Sequence, residues 1–262
     1  MGMGPDTHSG DERVIRASVC MAVYNGAAHV TEQLDSIVAQ LGPDDEVIVV
    51  DDASTDSSLD IIEDFKDDRI RLVRSAVNRG YVRTFEAALT ASRGRYIFLS
   101  DQDDVWLPGR LDVMIDAMST SSVVASNFSF FGQQPRSIES LRLRAVDSSR
   151  KRTNLLLLWV GVRPYYGCAM AFRRDVAPLI LPFPQSLYET HDQWIALVGN
   201  LAGEMRHIEQ DTLSRRLHDT NTTPKKARSP FLIVRSRLML ARAFFVAARR
   251  IRKYRSGGNP ND

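Results

Sequence analysis

Between Glu46 and Asp51 the chain runs through four consecutive branched aliphatic residues, Val47-Ile48-Val49-Val50. A strand that is apolar at every position has no face to give to water, so it must be covered on both sides, as in a parallel sheet. Short, mostly apolar runs of strand type recur at residues 17–23, 70–73 and 96–99. Between these runs the period changes. Val30, Leu34, Ile37, Val38 and Leu41 fall on one helical face that Gly42-Pro43 stops. Leu59, Ile61, Ile62 and Phe65 make a second helix with Asp56 as its cap, and a third runs from Tyr81 to about Ser92 before Gly94. Strand and helix alternating four times predict an α/β fold, with a mostly parallel central sheet, helices on both faces and right-handed crossovers.

Open parallel sheets take ligands at the carboxyl ends of their strands, beside the point where strand order reverses. Tyr24, Asp51, Asp52, Asn78, Arg79 and the cluster Asp101-Gln102-Asp103-Asp104 all fall at such ends. Three carboxylates this close repel one another unless a cation joins them. Mg²⁺ and Mn²⁺ take oxygen ligands, commonly one or two carboxylates plus the phosphates of a substrate. The competing reading is an acidic turn that ends the strand. A second acidic stretch, Glu189-Thr190-His191-Asp192-Gln193-Trp194, opens an apolar helix over 195–201. The helix dipole would keep Asp192 ionised at neutral pH, whereas the plainer reading makes it a cap. No Gly-x-Gly-x-x-Gly follows the first strand and no Gly-x-x-x-x-Gly-Lys occurs, which counts against a dinucleotide-dependent dehydrogenase and a P-loop enzyme.

Further along, 107–118 reads as a helix, 122–131 as a strand, the polar basic stretch to Arg152 as a loop, and 154–162 as a helix near the site. Residues 167–172 read as a strand whose glycine permits close backbone approach, and Pro182 and Pro184 make a turn. At 262 residues the chain suits one large domain or two small ones, and a net charge of +2 gives no bulk attraction to nucleic acid. The charge is uneven, because from Lys225 almost every charged residue is basic. Over 229–255 a helical stripe of Leu238, Ala241, Phe245, Ala248 and Arg252 accompanies many arginines. Such a helix either lies on an anionic membrane or packs on the domain with a solvated basic face. Cys20 and Cys168 lie in apolar surroundings without partners at metal-ligand spacing, which suits reduced thiols and a cytoplasmic protein. Residues 1–13 read as a disordered lead and 256–262 as a disordered tail, and no window has the roughly 18 apolar residues of a membrane span.

Four features in order resemble the inverting glycosyltransferases of family 2, which have the GT-A fold. They are Ala22-Val23-Tyr24-Asn25, residues 49–56 (Val-Val-Asp-Asp-Ala-Ser-Thr-Asp), Asp101-Gln102-Asp103-Asp104, and His191-Asp192-Gln193-Trp194. The form Ser-Asp-Gln-Asp-Asp-Val-Trp, with Arg216-Leu217-His218, is most similar to bacterial members that add rhamnose or similar sugars to surface polysaccharides. The resemblance implies a GT-A domain over 14–224, with a nucleotide-sugar half (14–105) and an acceptor half (106–224), followed by the basic helix. It implies that Ala22, Tyr24 and Gln102 line the nucleotide, with Tyr24 stacking on a pyrimidine base that Asp51 or Asp52 hydrogen-bonds. It further implies Arg79 or Arg83 near the diphosphate, Asp101 on the ribose, Asp103 on the divalent cation with Asp104 in support, and Asp192 as general base. His218 would reach the metal or diphosphate, or is a surface histidine. The implied donor is a dTDP-rhamnose or UDP-sugar, and the implied acceptor a glycan or lipid-linked hydroxyl. No Gln-x-x-Arg-Trp of the processive synthases is present.

Trp106 and Trp194 flank the acidic motifs and either line the sugar pocket or fill the core. A nucleotidyltransferase would carry a glycine-rich basic loop after the first strand, where this chain has Tyr24-Asn25-Gly26. A non-catalytic member of the fold would have lost its acids, and here none is missing.

Overall fold

The apolar runs pair as expected. In the computed structural model, which describes residues 14–131, 142–216 and 229–261, β1 (Ala17–Val23) lies parallel to β2 (Asp45–Asp51) on one side and to β4 (Tyr96–Ser100) on the other, while β3 (Ile70–Arg74) extends beyond β2. The alternation of side chains across the pleat divides each strand between two cores. Cys20, Ile48 and Val50 point to one face, and Val19, Met21, Val47 and Val49 to the other. The helices α1 (Val30–Val38), α2 (Ser58–Asp64) and α4 (Arg110–Ala117) cover the second face. The first is covered by α3 (Tyr81–Ala91), α5 (Lys151–Val160), α7 (His191–Ala202) and α8 (Pro230–Arg255). Asp56 accepts hydrogen bonds from the backbone and hydroxyl of Ser58 at the start of α2, as its position in the sequence predicts.

Beyond β4 the sheet changes character. The described residues form an eight-stranded sheet in the order β3-β2-β1-β4-β7-β6-β8-β5, with β5 at Val105–Trp106, β6 at Val123–Phe130, β7 at Met170–Arg173 and β8 at Met205–Arg215. β7 is antiparallel to both β4 and β6, and β8 is parallel to β6. Short β5 closes the edge antiparallel to β8. Neither β5 nor β8 is visible in the sequence pattern, because β8 carries polar residues at most positions and only its packing against β6 makes it a strand. The strand expected over 167–172 is half turn: Gly167–Ala169 form a 3₁₀ turn, and the extended backbone begins at Met170. Within the stretch expected as loop, Ala145–Asp147 form a 3₁₀ turn and α5 begins at Lys151, earlier than expected, ending at Gly161 with φ 85°. A short helix, α6 (Ala177–Ile180), precedes the proline turn.

The C-terminal helix spans the expected residues, with the Ser229 hydroxyl accepting from the Leu232 N–H as its cap. It packs on the domain, but not through the stripe that the sequence suggests. Ser236, Met239, Leu240, Ala243, Ala247, Arg250 and Ile251 are the buried positions, while Leu238 and Phe245 of the expected stripe face outward. Residues 256–261, expected as a disordered tail, continue from α8 in a hydrogen-bonded turn. The expected lead over 1–13 lies outside the described residues. Both cysteines are free and buried, and among the described residues no helix is long and apolar enough to cross a membrane.

Candidate active site

Strand order reverses between β1 and β4, so the loops that follow them part and leave a crevice at the carboxyl rim of the sheet. The two loops are braced across it. The Gln102 side-chain amide donates to the Tyr24 carbonyl at 3.1 Å, and its oxygen accepts from the Tyr24 N–H at 2.8 Å. A Cβ at Gly26 would stand 2.5 Å from Gln102 Oε1, so a side chain there would displace the Gln102 amide from this brace. Both ends of Gln102 are thus spent on protein backbone, which makes it a brace where the resemblance implied a nucleotide contact. Tyr24 presents an exposed ring at the same rim, and Ala22 is part-buried one turn of the pleat earlier.

The neighbouring acids Asp51 and Asp52 have different tasks. Asp52 accepts from the N–H groups of Arg79 and Gly80, at 2.9 and 2.8 Å, and so fixes the entry to α3. Asp51 accepts from Ser54 with one oxygen, while its buried Oδ1 has no hydrogen-bond partner. A buried acceptor left unmade costs about 1–3 kcal/mol, so Oδ1 is suited to a donor from outside the chain. Arg79 is exposed at the rim, whereas Arg83 is committed to Glu86 and the carbonyls of Pro184, Gln185 and Leu187.

Because β7 runs antiparallel to β4, its beginning lies at this rim, and the turn before it delivers Cys168 beside the acidic cluster. Arg110, buried and stacked over Trp106, holds that turn by donating to the Cys168 carbonyl at 2.6 Å. Ligand atoms of Asp101, Asp104 and Cys168 all lie within 4.8 Å of one another. Burial raises the pKa of both carboxyls. For Asp101 the charges of Asp104 and Asp103 raise it further, and for Asp104 that of Asp103 does so. Arg215 and hydrogen bonds from the Cys168 thiol pull the other way. Asp104 Oδ2 is buried without a hydrogen-bond partner. Two converging carboxylates with an unsatisfied oxygen fit a hard divalent cation. The thiol, kept protonated by burial, serves better as a donor to these acids than as a ligand. Asp103 is not one of these three, although its charge acts on both carboxyls. His218 lies outside the described residues.

Asp192 enters from the other side, in the first turn of α7. Gly167 allows the approach: a Cβ there would stand 2.7 Å from His191 Nε2 and 3.6 Å from Asp192 Cβ. Burial pushes the Asp192 carboxyl up to about 6 against the opposing pull of the Gln193 N–H, Arg215 and the Gly167 backbone. The helix dipole therefore loses to desolvation, yet the group is ionised at neutral pH. His191 packs beneath it on Phe85 at 4.2 Å between ring centroids, and burial pushes its pKa down to about 3. Thr190, before them, has φ 58°, a conformation that branched residues rarely adopt. The other two non-glycine residues with positive φ among those described, Asn25 and Ala53, follow β1 and β2 at the same rim. Backbone strain clusters at sites where geometry matters more than stability.

Arg215, the last residue of β8, joins the two acidic motifs. Its Nε lies 4.0 Å from Asp104 Oδ2, and its guanidinium stacks over Tyr166 at 4.5 Å and Phe128 at 5.2 Å. Its charge acts on Asp101, Asp104 and Asp192 alike. Burial alone would lower its pKa, but the carboxyls of Asp104 and Asp101 raise it above the ordinary value, so the cation is permanent. Sequence reasoning passed over this residue, since an arginine at the end of a polar strand has no periodic signal. Only the pair Arg215-Arg216 marks the place. Trp106 and Trp194 are both buried, the latter donating to the Ile180 carbonyl, and belong to the core.

The sequence model of the family described as "Glycosyl transferase family 2" matches residues 18–179. A relative from Escherichia coli, named UDP-Glc:alpha-D-GlcNAc-diphosphoundecaprenol beta-1,3-glucosyltransferase, is 32% identical over 44% of this chain and 45% of its own length. Across curated relatives of this kind the chain spans from 30% to 66% of their length. Among solved structures, TarS 1-349 of S. aureus in complex with UDP-GlcNAc superposes with a TM-score of 0.68 at 18% identity, covering 94% of this chain and 74% of that one. A mannosyltransferase from Pyrobaculum calidifontis in complex with GDP-Man and Mn²⁺ gives 0.61 at 21% identity, covering 90% and 73%. The architecture is that of the GT-A glycosyltransferases.

Proposed function

The chain belongs to glycosyl transferase family 2, and from that premise we propose that it moves a sugar, with inversion, from a nucleoside-diphosphate sugar to a hydroxyl of a glycan or lipid-linked acceptor in bacterial surface-polysaccharide synthesis. One observation supports the reading: the charge of Arg215 acts on Asp101, Asp104 and Asp192 together, and one turn meets both acidic motifs, with Cys168 beside Asp101 and Asp104 and Gly167 against Asp192. Inverting transfer needs a proton acceptor on one side of the anomeric carbon and neutralisation of the departing diphosphate on the other. Each acidic motif supplies one of these needs.

Asp192, ionised above about pH 6, takes the proton from the attacking acceptor hydroxyl. A positioned base of this kind contributes about 10²- to 10⁴-fold. Asp51 Oδ1, without a hydrogen-bond partner among the described residues, accepts from the base of the nucleotide, with the exposed ring of Tyr24 against its face. Asp101 and Asp104 would hold Mg²⁺ or Mn²⁺, which supplies positive charge to the diphosphate as its bond to the sugar breaks. Arg215 pulls the pKa of these carboxyls down against the burial that raises it. A relative that acts on a diphosphoundecaprenol-linked sugar and a structure that holds UDP-GlcNAc support a UDP- or dTDP-sugar donor and a lipid-linked acceptor. An acceptor of that kind would bring the protein to the inner face of the cell membrane.

The test is a thermal-shift screen of nucleotide sugars with and without Mn²⁺, since a ligand selective for the folded state raises the melting temperature. The matching donor then enters a turnover assay with Asp192→Asn. The expected outcome is a Mn²⁺-dependent shift in both proteins and transfer only by the unsubstituted one. Equal turnover by the two would remove Asp192 from the mechanism.

A further inference from the structure

The helix α8 is amphipathic twice over. At about 100° per residue, its buried positions centre on Ala243 and Ala247, and the opposite side carries Phe231, Leu238 and Phe245 at intervals of seven. Phe231 and Phe245 are each 73% exposed and Leu238 60%. Isolated exposed apolar residues are ordinary, but a row along one helix is not. Arg235, Arg242 and Lys253 border the row on one side, and Arg237 and Arg255 on the other. Between Pro230 and Arg255 there is no acidic residue.

A second exposed apolar group adjoins this one. Arg237 donates to the Val160 carbonyl at 2.8 Å, setting the amino-terminal half of α8 beside the end of α5, where Leu156, Trp159 and Val160 are exposed. The helix α5 begins Lys151-Arg152 and also has no acidic residue. The same half of α8 holds the approach to the candidate base. Arg235 donates to the Tyr188 hydroxyl and stacks on its ring, and the Ser236 hydroxyl donates to Glu189, three residues before Asp192.

We infer that this composite face of α5 and α8 docks on an anionic phospholipid surface, with Phe231, Leu238, Phe245 and Trp159 entering the headgroup boundary and the exposed Arg242 and Arg252 meeting the lipid phosphates. Charge decides the occupant. A face with cations on both borders and no anion of its own repels a second copy of itself and fits a negatively charged bilayer. Arginine and lysine suit the borders because their stems lie along apolar surface while their heads reach the phosphates. The proposal deepens the lipid-linked acceptor reading, since it places the membrane beside the Asp192 side of the site. Its test needs neither donor nor turnover, so the two readings fail separately.

The experiment is flotation of the full chain with phosphatidylcholine vesicles, and with vesicles in which about a third of the lipid is phosphatidylglycerol. Binding to the anionic vesicles is expected to exceed binding to the neutral ones by at least about tenfold and to fall with added salt, each basic residue at the surface being worth roughly fivefold. Phe231→Ser with Leu238→Ser and Phe245→Ser should lose about tenfold or more of that binding, with an unchanged melting temperature because the side chains are exposed in the fold. Trp159→Ser should weaken it by a smaller factor. Absence of binding to anionic vesicles, or equal binding by the triple variant, overturns the proposal. So does a dimer in light scattering that the triple variant dissociates, since it would assign the face to a second copy. A normal donor-induced shift in the triple variant separates this outcome from a failure of the transferase reading.

Discussion

The two halves of the sheet solve the same problem by different means. In the first half β1, β2 and β4 are buried on both faces, with the edge strand β3 partly exposed, and Tyr24, Asp51 and Asp101 stand at the ends of their own strands, a residue or two beyond the last apolar one. From β5 to β8 the strands are short, antiparallel or polar, and the site groups arrive through a 3₁₀ turn, a helix start and the end of a strand that only tertiary contact defines. In the first half local sequence decides where a side chain goes. In the second, Cys168, Asp192 and Arg215 are placed by residues tens of positions away, such as Arg110 on the Cys168 carbonyl. The nucleotide side should therefore tolerate loss of one brace, while the catalytic side should fail as a unit.

The sharpest way to break that contrast is Arg215→Met. It removes the cation shared by Asp101, Asp104 and Asp192 and leaves buried carboxyls without a counter-charge. Breaking a buried pair by deleting one partner typically costs about 3–5 kcal/mol, to be read as a lowered urea midpoint. Addition of Asp104→Asn should recover part of the loss, and a purely additive double variant would mean that the motifs are not coupled through Arg215.

These differences explain what the sequence could disclose. The four parallel strands and their helices were legible because continuous apolar runs admit few other structures, and the strand-end rule then located Tyr24, Asp51 and Asp101. Choosing Asp51 over Asp52 was beyond it, since adjacent aspartates differ only in which backbone amides they meet. β8 was hidden because its burial pattern follows bulged pairing with β6 rather than a period of two. Arg215 was hidden with it. The outward stripe on α8 was legible as a pattern but not in its orientation, for both of its faces are apolar.

Asp192 has a pKa of about 6 in the folded chain, above the ordinary carboxyl value of about 4 that it takes when unfolded. The folded state therefore holds this proton more tightly. Its contribution to stability is fully present below about pH 4 and is lost as pH rises through about 6, by roughly 1–3 kcal/mol. Melting curves from pH 4 to 7 should show this decline in the unsubstituted chain and a flatter one in Asp192→Asn. Activity runs oppositely, since a base must be ionised, and should fall below about pH 6. An identical pH slope in the two proteins would place the group in solvent.

The smallest expected effect belongs to the nucleotide side. Gln102→Ala deletes both bonds to the Tyr24 backbone, 78 residues away, and frees the space above Gly26. Each such bond is worth a net ~0.5–1.5 kcal/mol, and both are at the exposed rim, so stability should fall by about 1 kcal/mol. Neither strand depends on the clamp, because β1 and β4 remain paired from Ala17–Tyr96 to Met21–Ser100. What the clamp fixes is the direction in which Tyr24 leaves β1. Its loss should therefore raise KM for the donor several-fold while kcat, set by Asp192 and the cation-binding acids, changes little, as when an interaction made equally in ground and transition states is removed. A kcat loss as large as that of Asp192→Asn would join Gln102 to the catalytic unit and erase the distinction between the two halves.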